Sequence, residues 1–263
     1  MSARQISSLA NATVKAVRAL HLRKDREASG LFLAEGLKIV GEAIATGHAP
    51  KILMFAVEAM AHPILNEAIA ATLRAGGEIL EVNREILAKV SRRDNPQTVL
   101  GVFSQAYETL DELDPKSAHC WVALQAIRDP GNLGTIIRTA DSAGCGGVIL
   151  VGDCCDAFSV EAVRATMGSI FAVKIARASV PQFVAWRRAW PGSVVGTLLS
   201  ASTDFRAAEY ADPTLILMGN EQAGLPPDLA AICDVNVKIP MRGRSDSLNL
   251  AVATGIMIYA VTA

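Results

Sequence analysis

From residue 120 to the end of the chain, short β-branched and apolar runs alternate with stretches of helical period. This alternation constrains the fold more than any other feature. Residues 121–127, 148–151, 194–199, 214–218 and 235–239 read as strands, and 173–175 as a shorter one. Residues 132–143, 160–167, 181–190, 226–233 and 247 onward read as helices. Strands joined through helices form a mostly parallel sheet covered on both faces. In such sheets ligands bind beyond the carboxyl ends of the strands.

Residues 1–105 alternate in the same way and read as a smaller α/β unit. Val14, Val17 and Leu20 share one face of a helix expected over 11–26, with Lys15, Arg18, Arg23 and Lys24 around it. Residues 106–117 are acidic, contain Pro115 and lack a period, so they read as an interdomain linker. The expected organisation is a first domain at 1–105, a linker at 106–117 and a second domain at 118–263.

Charge separates the two parts. The 263 residues carry a net charge of −1, with a net of +3 over 1–105 and −4 over 106–263. Six basic residues and one acid fall within residues 1–26. Such an arm fits contact with a polyanion, or else an ordinary solvated helix face. Five cysteines without C-x-x-C spacing fit reduced thiols in the cytoplasm. The four histidines do not cluster with the cysteines, so no metal site is expected. No apolar run has the length of a membrane span without interruption, so no membrane partner is expected either.

Three stretches, each after a strand, carry candidate chemistry. The first, DPGNLGTIIRTA at 129–140, turns at Pro130-Gly131 and offers Asn132 as a helix cap, with Arg138 in the second turn. The second, LMGNEQAGL at 217–225, puts Gly219, Asn220 and Glu221 at a strand end. It suits a backbone-lined pocket for a polar, adenosine-like ligand. The third, IPMRGRSDSLN at 239–249, is a cationic loop leading into an apolar helix with Ser247 as its cap. Taken singly, each stretch is an ordinary turn with a capped helix. No G-x-G-x-x-G is present for a dinucleotide, which counts against a nucleotide-dependent oxidoreductase.

Taken in order, the three stretches resemble the motifs of the SpoU (TrmH) family of RNA 2′-O-ribose methyltransferases, in the SPOUT superfamily. Asn132, Gly134 and Arg138-Thr139-Ala140 match the first motif. Gly219, Glu221 and Gly224-Leu225 match the second, and Ile239-Pro240-Met241 with Ser247-Leu248-Asn249 match the third. The chain has Ala260 where many relatives carry an acid after the final tyrosine. The basic segment from Arg18 to Arg26 and Phe32-Leu33-Ala34-Glu35-Gly36 are similar to the substrate-binding domain of the ribosomal-RNA members, including mitochondrial-type relatives.

The resemblance implies a trefoil-knotted parallel-sheet methyltransferase domain behind a smaller RNA-binding α/β domain. It implies S-adenosylmethionine as cofactor, a homodimer, and 2′-O-methylation of a ribose in ribosomal RNA. The alternatives are transfer RNA as substrate, or a non-catalytic ribosome-assembly factor of the same fold. By resemblance Arg138, Asn132, Glu221, Ser247 and Asn249 are the catalytic set. Leu198, Gly219, Asn220, Ile239, Met241, Ser247 and Leu248 would hold the cofactor. Arg18, Arg23, Lys24, Arg26 and Arg128 would contact RNA.

Overall fold

The computed structural model describes residues 3–262. The chain forms two compact units. One runs to Gln105 and takes in Asp156–Ala172; the other comprises Ala106–Cys155 and Val173–Ala263.

In the first unit the chain order is β1 (Arg4–Ile6), α1 (Ala12–Ala19), α2 (Arg23–Ser29), β2 (Leu31–Glu35) and α3 (Leu37–Ala45). It continues with β3 (Ile52–Phe55), α4 (Pro63–Arg74), β4 (Glu78–Val82), α5 (Arg84–Ser91) and β5 (Val99–Ser104). The sheet order is β1-β4-β3-β5-β2, with β5 antiparallel to both neighbours. Val14, Val17 and Leu20 are buried as their spacing requires, against Ile86, Leu87 and Val90 of α5. The single helix expected over 11–26 is two helices. The chain breaks at Leu20–Leu22, where His21 Nε2 bonds the Val90 carbonyl at 2.7 Å. Burial lowers the His21 pKa, and Arg92 and Arg164 push it the same way.

Asp156–Ala172, expected in the second domain, packs with the first unit and contains α7 (Val160–Thr166). Two ion pairs and an aromatic cluster account for this. The Arg26 guanidinium meets Asp156 at 2.7 Å with both side chains buried, and also donates to the Leu20 carbonyl. Arg164 donates to the buried Glu35 carboxylate at 2.7 Å. Phe158 and Phe171 pack on Phe32.

The second unit contains β6 (Cys120–Gln125), α6 (Pro130–Ser142), β7 (Gly147–Val151), β8 (Lys174–Ala178), α8 (Val180–Arg187) and β9 (Val194–Thr197). β10 (Thr203–Asp204), β11 (Thr214–Met218), α9 (Pro227–Ala230), β12 (Val235–Lys238) and α10 (Leu250–Thr262) complete it. Every pairing in its seven-stranded sheet, order β10-β12-β9-β11-β6-β7-β8, is parallel. All residues of β7 and β11 are buried, as strands covered on both faces must be. The order reverses where β11 lies between β9 and β6, which opens a crevice at the carboxyl ends of these strands.

Residues 106–117, read as a linker, are packed into this unit. Leu110 and Leu113 join the core around Trp121, whose indole N–H donates to the Pro115 carbonyl at 3.1 Å. The guanidinium of Arg177 lies 3.5 Å above the Tyr107 ring. Asp111, Glu112 and Asp114 face solvent while the two leucines face inward, which a composition-based reading does not separate. Helix α9 is four residues long, shorter than the helix expected over 226–233.

Candidate active site

The loops after β9, β11 and β12 and the turn before α10 enclose a cleft of about 430 Å³. Leu198, Gly219, Asn220, Ile239, Met241, Ser247 and Leu248, the seven residues expected around the cofactor, all line it. So do Glu221, Asp246 and Thr197. Two acids and, among the described residues, no lysine, arginine or histidine line this cleft.

The β11 end closes into a tight loop. Asn220 and Gly224 exchange backbone hydrogen bonds at 3.1 and 2.9 Å. Gly224 sits at φ +69°, a left-handed conformation that glycine adopts without strain. A Cβ on Gly219 would lie 2.1 Å from the Gly224 carbonyl carbon and the Leu225 nitrogen. Gly219 is therefore demanded by the closure of its own loop. The Asn220 amide N–H donates to the Ala126 carbonyl at 2.7 Å, and its oxygen accepts from Gln222 and Ala223 N–H.

Glu221 reaches from this loop to the start of α6. Its carboxylate accepts from the Arg128 N–H at 3.2 Å, the Asp129 N–H at 3.2 Å and the Asn132 amide at 3.5 Å. The N-cap of α6 is Asp129, which accepts from the Asn132 N–H at 2.6 Å, rather than Asn132. An acid directly before a proline at the first helical position is the sequence signal for this cap. With the cap supplied by Asp129, the Asn132 side chain is free for another partner. Its oxygen accepts from the Asn249 amide at 2.9 Å.

Asn249 is likewise the N-cap, in place of Ser247: α10 starts at Leu250, and Asn249 Oδ1 accepts from Ala251 and Val252 N–H. Ser247 is exposed at the cleft, where its hydroxyl donates to Asp246 at 3.2 Å. The three stretches are thus tied by side chains in the order Glu221, Asn132, Asn249.

Sequence reasoning missed two further features. Ala126 takes φ +49°, a strained conformation for a residue with a Cβ, at the turn that presents Arg128 and Asp129 to Glu221. The Thr197 hydroxyl is buried without a hydrogen-bond partner beside the cleft. Neither is marked by residue type.

Arg138 lies apart from these groups. It is exposed on α6, and no hydrogen bond or ion pair holds its guanidinium among the described residues. Helix α6 packs against α10, with Thr139 facing Gly255.

The expected RNA-contact residues divide. Arg18 and Lys24 are exposed. Arg23 is exposed and paired with Glu27 at 2.7 Å on the same helix. Arg128 is exposed and paired with Asp153 at 2.8 Å. Arg26 is a correction: its guanidinium is buried against Asp156, so it is a structural cation with no surface for RNA. Its position in a basic run does not reveal that it faces inward.

Comparison with known proteins shows the family and the fold. The SpoU rRNA Methylase family matches residues 119–259, and the MRM3-like substrate binding domain matches 11–101. The chain is 31% identical to the 23S rRNA (guanosine(2553)-2'-O)-methyltransferase RlmP of Bacillus subtilis, covering 97% of this chain and 98% of that one. An AdoMet-bound rRNA methyltransferase from Sinorhizobium meliloti superimposes with a TM-score of 0.92 at 48% identity, over 98% of this chain and 97% of that one. The SpoU methyltransferase AviRb of Streptomyces viridochromogenes does so with a TM-score of 0.83 at 30% identity, over 96% of each chain. With its three motif stretches joined by side-chain hydrogen bonds at one cleft, and with matches along nearly its full length, the chain belongs to the SpoU rRNA methylase family.

Proposed function

We propose that this protein transfers a methyl group from S-adenosylmethionine to the 2′-oxygen of a ribose in ribosomal RNA. The observation that carries the reading is the Glu221–Asn132–Asn249 chain, which joins three loops beside the cleft.

The cleft fits the cofactor. Its volume lies within the range of about 300–1,000 Å³ typical of small-molecule sites. Leu198, Ile239, Met241 and Leu248 offer apolar wall to an adenosine, and the strand-end backbone offers polar groups. Two acids without a lining base suit a cationic ligand. The bound cofactor supplies an electrophilic methyl on a sulfonium.

Asn132 and Asn249 hold each other in fixed orientations, so their remaining polar atoms can orient the ribose. Glu221 keeps the α6 start in register with the cofactor loop. Alignment of hydroxyl and methyl supplies much of the acceleration. Arg138 carries a charge that no acid among the described residues pairs with, and it stabilises the alkoxide that forms as the hydroxyl proton leaves. A guanidinium with a pKa above about 12 does not itself take that proton.

Two chains build the complete site. Helix α10 is apolar on every side, a pattern that belongs to a helix covered all round. Val252 and Tyr259 are nevertheless exposed on it, 52% and 54%. A partner over this face would also approach Arg138 on the adjoining α6. The tail helix is threaded as a trefoil knot, as in the family, and the enzyme works in the cytoplasm, where its five free cysteines stay reduced. Arg18, Arg23, Lys24 and Arg128 supply phosphate contacts.

The test is ribose-methylation mapping of total RNA from cells with and without the gene. Loss of one 2′-O-methyl mark from ribosomal RNA is the expected result. A mark lost from transfer RNA overturns the choice of substrate. Unchanged marks with defective ribosome assembly support the non-catalytic alternative.

A further inference from the structure

The cleft has two acids in different states. Glu221 is engaged by two backbone N–H groups and two side-chain amides. Asp246 receives a single hydrogen bond, from its neighbour Ser247, and forms no ion pair among the described residues. Arg242 and Arg244, in the same loop, leave it unpaired. Among the described residues, Asp246 is thus the cleft's one anionic group with open acceptor positions, three residues before Asn249 in the turn that leads to the proposed ribose-positioning pair.

The reaction changes charge at one atom. The ribose oxygen bonds to the methyl carbon, and the carbon–sulfur bond breaks with its electron pair going to sulfur. The hydroxyl proton leaves to solvent or a base. The cationic sulfonium becomes a neutral thioether, while the ammonium and carboxylate of the amino-acid end are unchanged. A carboxylate near sulfur therefore favours substrate cofactor over product. A carboxylate near the ammonium favours both alike.

We propose that Asp246 faces the sulfonium and sets the preference of the cleft for S-adenosylmethionine over S-adenosylhomocysteine. The methyl must point toward the ribose, and the ribose-positioning residues Asn132 and Asn249 adjoin the Asp246–Leu248 side of the cleft. The walls from β9 and β11 then take the adenosine. Weakened attraction after transfer lets the product leave. The inference rests on the cleft being the cofactor site.

Titration calorimetry on the full chain, with each ligand in turn, tests it. D246N is expected to weaken S-adenosylmethionine binding by about three- to fivefold, the scale of one part-exposed charge pair. It is expected to leave S-adenosylhomocysteine binding unchanged and to reduce the salt dependence of the first ligand only. D246E should keep most of the preference. Equal weakening of both ligands overturns the proposal and places Asp246 at the ammonium. No change in either also overturns it and makes Asp246 a solvated loop acid. A separate variant, S200W, fills the cleft from an exposed loop position. If it binds S-adenosylmethionine as the unaltered protein does, the cofactor site itself lies elsewhere.

Discussion

The Asn249 amide donates to the Asn132 side-chain oxygen at 2.9 Å across 117 residues of chain. Each asparagine sits at the start of a helix, and Asn249 also caps its own helix with its oxygen. The bond locks both amides in one orientation, leaving the Asn132 N–H toward Glu221. Removing either partner should therefore cost nearly as much as removing both. Asn132→Ala, Asn249→Ala and the double variant should each lower single-turnover methyl transfer by about 10²-fold, the effect typical of one positioned donor. Rate losses that multiply would show that the residues act independently.

Among the described residues, no hydrogen bond or ion pair of its guanidinium makes Arg138 structural. Arg138→Ala should keep the fold, cofactor binding and most RNA affinity, and lower the saturating single-turnover rate by at least about 10²- to 10³-fold. Arg138→Lys should recover little, because a point charge lacks the planar fork. A rate within tenfold of the unaltered enzyme would move the chemistry to another group, with Asn249 next to test.

Basic residues of the arm should behave oppositely according to burial. Arg26→Ala removes one partner of a buried ion pair and should destabilise the protein by about 3–5 kcal/mol in denaturant unfolding. Neutralising exposed Arg18 and Lys24 together should change stability little and flatten the log–log salt dependence of RNA binding. An unaltered salt slope would make this arm an ordinary solvated surface.

Gly219 should prove intolerant of even one methyl group. Its Cβ would meet backbone, which cannot rotate away as a side chain can. Gly219→Ala should open the Asn220–Gly224 loop and weaken cofactor binding at least tenfold. Hydrogen exchange should rise at the Asn220 and Gly224 amides. Gly224→Ala meets no atom within 4 Å and has only the left-handed φ to overcome, so its loss should be smaller.

Local pattern carried much of this protein. Alternation of buried strands and helices specified the parallel sheet of the second unit, because strands covered on both faces need continuous apolar runs. The family resemblance implied seven cofactor residues, and all seven line the cleft, because strand ends in such a sheet converge on one edge. Residue order did not reveal which residues cap helices when two candidates stand close together. Asp129 and Asn249 took the caps expected of Asn132 and Ser247, and that exchange frees the atoms that join the three loops. Nor did it show that residues 106–117 are packed, that Asp156–Ala172 sits with the first unit, or that Arg26 faces inward. The placing of Arg26 and of Asp156–Ala172 depends on partners more than 100 residues away, as with Arg26 and Asp156 or Glu35 and Arg164. A charge reads the same along the chain whether it meets water or a buried carboxylate, and only the tertiary packing decides between them.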